Sequence, residues 1–150
     1  ENKLIERFAA NPGQFYKFQL AYLDTEGTVG YYSTVATGKY TTKPKVYINN
    51  LREGFINMHE YKYIGFYNQL NGDTTERVYS YRFDVYDNRD NIVATSGDCL
   101  HNSSNDIELY ESYDEFILSK DLNIDEAYRI KYTVNTINGL TISSPRYRVM

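Results

Sequence analysis

The chain has 150 residues, 16 basic against 20 acidic for a net charge of -4, and it is rich in Tyr (17) with no Trp. Its Lys and Arg are scattered singly, which excludes a basic footprint for nucleic acid or anionic lipid, and no run nears the ~20 apolar residues of a membrane span. One cysteine, Cys99, excludes an internal disulfide framework, and the 41% hydrophobic content suffices for a core in one domain or one domain plus part of another.

The chain opens at Glu1 rather than Met, so a fragment or processed product is expected. Asn2 to Ala10 reads as either a short helix or a strand continuing an earlier domain. Tyr16, Phe18, Leu20 and Tyr22 then alternate with Lys17, Gln19 and Ala21, the period-two pattern of a half-buried strand. Turn chemistry follows at Thr25-Glu26-Gly27, and a second arm ends at Tyr31-Tyr32-Ser33. Lys43-Pro44 reads as a junction, because proline stiffens the chain and removes a ladder donor.

Seven strands are expected beyond it. They are Lys45–Asn49, Tyr61–Tyr67, Val78–Tyr86, Ile92–Ser96, Glu115–Ser119, Tyr128–Asn135 and Leu140–Val149. Turns are expected at Asn71-Gly72-Asp73, at Asp87 to Asn91, and at Asn138-Gly139, where both residues tolerate positive φ. Ser96 to Asp114 reads as a long polar connection with a short extra strand at Ile107–Tyr110, and Asp121 to Ala127 as a turn of helix.

The segment from Tyr16 repeats from Tyr128 at an offset of 112 residues. Tyr16 meets Tyr128, Phe18 meets Ile130, Leu20 meets Tyr132 and Gly27 meets Gly139. That spacing is about one sandwich domain. Residues 1–42 therefore read as the closing hairpin of one domain, and residues 44–150 as the whole of the next.

These residues resemble fibronectin type III modules. In that family a Leu and a short turn precede a Tyr whose hydroxyl bonds back to the turn, the tyrosine corner. Leu122 precedes Tyr128 at the matching spacing of six, and Ala10, Pro12, Gly13 and Tyr16 occupy the same slots in the first copy. The resemblance implies an antiparallel seven-stranded β-sandwich of fibronectin type III or immunoglobulin-like type. The family's usual core Trp is absent, so Tyr61, Tyr63 or Phe66 would fill its volume. The Tyr- and Asn-rich style of Val78–Asp87 and Tyr132–Leu140 also resembles structural proteins of bacteriophage tails and other virion parts.

Chemistry finds little purchase. His59 and His101 fall in different loops, and no nucleophile-elbow or Cys-His signature accompanies Ser103 and Ser104. Asp87-Asn88-Arg89-Asp90-Asn91 faintly resembles a calcium loop, but it lacks the sixth-position Gly and distal Glu, and Arg89 repels a cation. No cofactor, metal or catalytic residue is expected. Surplus aromatic surface remains at Tyr31, Tyr32, Tyr61, Tyr63, Tyr110 and Tyr113, and it suits a protein interface. The expected role is a structural module in a virion or cell-surface assembly, homo-oligomeric and partnered by other virion or surface proteins. Glycan binding by an adhesin-type module is the alternative.

Overall fold

The computed structural model describes residues 15–39, 42–69, 73–123 and 125–150. The expectations placed on Asn2 to Ala10, and on Ala10, Pro12 and Gly13, lie outside these residues, as do Asn71 and Gly72 of the expected turn. The chain divides into two units, Glu1–Thr42 and Lys43–Met150.

In the first unit four short strands form one hairpin: β1 (Phe15–Phe18), β2 (Ala21–Leu23), β3 (Val29–Tyr32) and β4 (Ala36–Lys39). β1 pairs antiparallel with β4, and β2 with β3. The arms turn at Gly27, which takes φ 81°, a conformation open to glycine because it has no Cβ.

The second unit is all-β. One sheet joins β5 (Pro44–Ile48), β7 (Lys62–Gln69), β12 (Glu111–Ile117) and the short β11 (Asp106–Glu108) in the order β11-β12-β7-β5. The other centres on β8 (Val78–Tyr86) and β13 (Tyr128–Thr136), which pair antiparallel. β9 (Ile92–Thr95) and β10 (Cys99–Leu100) line one edge of β8. β14 (Thr141–Ser143) and β15 (Tyr147–Val149) line the far edge of β13, and β6 (Ile56–Asn57) pairs parallel with β15.

The two sheets face each other across one core. Alternation decides which side chains enter it: Tyr63 and Tyr67 from β7, Phe116 from β12, and Tyr128, Ile130, Tyr132 and Val134 from β13 are all buried. Phe83 of β8 stacks on Phe116 across the gap, 5.4 Å between ring centroids, and on Tyr132 beside it at 4.7 Å. Tyr132 also lies directly over Gly65, where a Cβ would come within 2.6 Å of its ring atoms. A glycine in this strand is what allows the ring so close to the opposite backbone.

Several expected boundaries move. The strand expected at Glu115–Ser119 runs from Glu111 to Ile117, because Ser112 and Asp114 are inward positions despite their polarity. The strand expected over Leu140–Val149 is broken at Ser144 to Arg146 into β14 and β15. The helical turn expected around Asp121 to Ala127 is a tight turn instead: Glu126 N–H donates to the Asn123 carbonyl (3.1 Å) and Asp125 N–H to Asn123 Oδ1 (3.1 Å). The extra strand expected at Ile107–Tyr110 is the shorter β11, which starts one residue earlier and ends at Glu108.

Candidate interaction surface

The most organised polar cluster surrounds His101. Its side chain is 5% exposed, and both ring nitrogens face carboxylates: Nδ1 lies 2.8 Å from Asp114 Oδ1 and Nε2 lies 2.7 Å from Asp106 Oδ1. Tyr132 Oη donates to the second oxygen of Asp114 (2.6 Å), and Arg77 to the second oxygen of Asp106 (3.2 Å). Burial pushes the imidazole pKa down, but hydrogen bonds to the two carboxylates outweigh it and hold it above its ordinary value. Burial and the Asp114 carboxylate both raise the Tyr132 hydroxyl, which stays a donor. A pocket of about 280 Å³ opens beside the ring, lined by Tyr79, Leu100 and Ser103 among others.

This cluster does not match the needs of nucleophilic catalysis. A general base must offer a free nitrogen to its nucleophile. Both nitrogens of His101 are engaged by carboxylates, and Ser104 Oγ donates to Asn102 Oδ1 (2.8 Å). What the cluster does is pin the polar connection of residues 101–106 to β12 and, through Tyr132, to β13. His59, the other histidine, has its Nδ1 3.2 Å from the Tyr63 hydroxyl.

The calcium-like loop is occupied in another way. Asp87 Oδ1 accepts the backbone N–H groups of Arg89 (2.8 Å) and Asn91 (2.9 Å), which hold its carboxyl below its ordinary pKa. Asp90 sits at φ 63° and pairs with Arg146 (3.1 Å). Among the described residues no group of three or more His, Cys, Asp or Glu could hold a metal ion.

The six tyrosines separate. Tyr31 is 99% exposed, and Tyr32 and Tyr61 are exposed as well. Tyr110 and Tyr113 are half-buried, and the Tyr113 ring packs on Phe66 at 6.0 Å. Tyr63 requires a correction. It is 1% exposed and belongs to the core, with its hydroxyl accepting the Glu60 N–H (3.2 Å). Tyr61 lies just before β7 begins, so the shared parity of the two residues does not put them on one face.

Tyr31 and Tyr32 stand on the hairpin of the first unit, and that hairpin repeats the bonds that close the turn and break the return arm in the last hairpin of the second. At its turn, Asp24 N–H donates to the Thr28 carbonyl, Gly27 N–H to the Asp24 carbonyl and Thr28 N–H to Asp24 Oδ1 (3.1, 3.1 and 2.8 Å). In the other copy Thr136, Gly139 and Leu140 make the same three bonds at 2.9, 3.0 and 3.0 Å, with Gly139 at φ 84°. Where the return arm breaks, Ser33 N–H donates to the Leu20 carbonyl, Leu20 N–H to Ser33 Oγ, and Ser33 Oγ to the Thr34 carbonyl (2.7, 2.9 and 3.1 Å). Ser144, Tyr132 and Pro145 repeat the set at 2.8, 2.9 and 2.8 Å. The registers agree too: Tyr16↔Gly38 and Phe18↔Ala36 correspond to Tyr128↔Val149 and Ile130↔Tyr147.

The serine is a local switch. Its hydroxyl takes the ladder bond that the strand would otherwise supply, so the strand can bend away without orphaning the facing N–H. Ser144→Ala leaves the buried Tyr132 N–H without its acceptor. Its expected cost is about 1–3 kcal/mol, read as a lower urea midpoint with an unchanged slope.

The copies differ on the outer face. In the second unit that face carries polar pairs: Thr133 with Ser143 (3.0 Å between hydroxyls) and Thr141 donating to Asn135 (2.7 Å). In the first unit, across a bulge that the second lacks, Ala21 lies beside Tyr32 and Leu23 beside Val29, all exposed. An apolar stripe has replaced a polar one on the same scaffold. No protein-family model matches the chain, and no curated protein matches it.

Proposed function

We propose that the chain is a structural module of a multidomain assembly, acting by protein–protein packing, and that its second unit is a sandwich of fibronectin type III or immunoglobulin-like type. Two features support the fold reading. β5, β7 and β12 sit side by side in one sheet, and β9/β10, β8, β13 and β14/β15 in the other, an order compatible with that family. At the corner before β13, Asn123 N–H donates to the Tyr128 hydroxyl (3.0 Å) with Leu122 packed against the core, as a tyrosine corner requires. A virion, such as a phage tail, is the kind of assembly that fits the Tyr- and Asn-rich style of the strands.

The observation that carries the packing role is the outer stripe of Ala21, Leu23, Val29 and Tyr32, apolar where the equivalent hairpin is polar. An exposed apolar strand face excludes water best against another protein surface. The glycan alternative gains less. The row Tyr47, Phe66 and Tyr113 crosses three strands, but Tyr47 and Phe66 are stacked at 5.6 Å and 17°, so their faces cover each other rather than a sugar.

Analytical ultracentrifugation tests this. The 150-residue chain is expected to self-associate with rising concentration, and the double variant Leu23→Lys, Tyr32→Lys to stay monomeric. A chain monomeric at every concentration that instead binds on a glycan array would overturn the packing role.

A further inference from the structure

We infer that the inner face of the first hairpin is a second, separate docking surface, and that its occupant is a partial sandwich supplied by the polypeptide preceding it. This rests on the modular reading above but concerns the opposite face of the hairpin. The two hairpins share the turn, the serine switch and the register of β1 with β4, and differ by a one-residue bulge between Ala21 and Leu23 in the first, so the side chains of their leading arms can be compared slot by slot. The inward slots of the second copy, Tyr132 and Val134, are fully buried. The same slots of the first copy hold Leu20 and Tyr22, which are 62% and 81% exposed.

What covers the second copy defines what the first lacks. Tyr132 lies over Gly65 of β7, Tyr147 accepts the Ile48 N–H of β5 (3.3 Å), and β8 pairs along β13 from Arg129 to Thr136. The first hairpin forms only two-stranded pairings among the described residues. Two strands alone are marginal in water. An occupant must therefore give β1 and β2 a neighbouring strand in the role of β8, and lay a sheet over Leu20 and Tyr22 in the roles of β5, β7 and β12. In the second unit all of those strands precede the hairpin in sequence, so the same connectivity places the occupant upstream.

Two measurements test this. The first is hydrogen exchange on the Leu23→Lys, Tyr32→Lys variant, in which association through the outer face is removed. Amides of residues 15–39 are expected to exchange rapidly while those of 128–149 stay protected; protection of 15–39 in a monomer overturns the proposal. The second replaces residues 128–149 of the full chain by a copy of residues 16–38. In that copy Phe18→Ile, Leu20→Tyr, Tyr22→Val, Ala36→Tyr and Gly38→Val restore the buried apolar side chains that β13 and β15 supply. This graft is expected to keep a cooperative urea transition, and a control with the same five side chains moved one position along is expected to lose it. Loss in both, or retention in both, overturns the equivalence of the hairpins. Failure of the outer-face reading would show only as absent self-association and would leave both results unaffected.

Discussion

Phe83→Ala is expected to destabilise the second unit by about 3–5 kcal/mol, the range for deleting a buried aromatic ring. Phe83 has no exposed surface and stands where the two sheets meet. It stacks on Tyr132 at 4.7 Å, on Phe116 of the opposite sheet at 5.4 Å, and meets Tyr81 edge-on at 5.9 Å. Its neighbours are rings anchored by their own contacts, and the Tyr132 hydroxyl is tied to Asp114, so the space cannot collapse readily. A domain stable by about 5–15 kcal/mol loses a large share of its margin. Thermal and urea unfolding should both report it, the first by about 4–8 °C for each kcal/mol. A loss below about 1 kcal/mol would mean that the sheets do not meet on this ring.

Asp114→Ala is expected to cost a comparable amount, about 3–5 kcal/mol, by a different route. Asp114 is 1% exposed and binds His101 through one oxygen and Tyr132 through the other. Removing it strands a buried hydroxyl and takes away one of the two carboxylates that face the His101 ring. The same cluster sets a pH dependence. His101 binds its proton more tightly folded than unfolded, because the hydrogen bonds to Asp114 and Asp106 outweigh burial. Where the folded state holds more protons, stability falls as pH rises. The contribution is thus complete below about pH 6.5, the unfolded value, and is lost as pH rises through the folded one. Urea midpoints measured from acid to mildly alkaline pH should decline across that window in the parent chain and stay level there in His101→Phe. A level profile in the parent would show that the imidazole is not held charged.

The long alternating segments were legible in the residues themselves. Val78–Tyr86 forms as expected, and Tyr128–Thr136 extends its expectation by one residue, because both carry apolar side chains at every second position with turn residues beside them. The hairpin correspondence was legible too, since glycine and serine recur at nearly fixed spacing. Other features depend on distant partners. Asp114 is a polar residue at an inward strand position, and nothing local shows that His101 and Tyr132 will satisfy it. Starting that strand at Glu115 placed Asp114 in a loop and hid the cluster. β6 is two residues long and has no period to read. It is fixed by Asn57, whose amide donates to the carbonyls of Arg52 (3.1 Å) and Arg148 (2.9 Å), far apart in sequence. Tyr63, also expected as a candidate for the missing Trp's core volume, was misplaced at the interface because composition counts rings without saying which face they take.

The parallel pairing of β6 with β15 bears on how load passes through the second unit. β15 is gripped along both flanks, by β13 and by β6, and Met150 adds bonds to the Asn57 carbonyl (3.0 Å) and from the His59 N–H (2.9 Å). Those bonds run across the strand. Tension drawn along the chain at Met150 must therefore shear them together instead of unzipping them singly. β15, bonded along both flanks, acts as a clamp against tension applied in that direction.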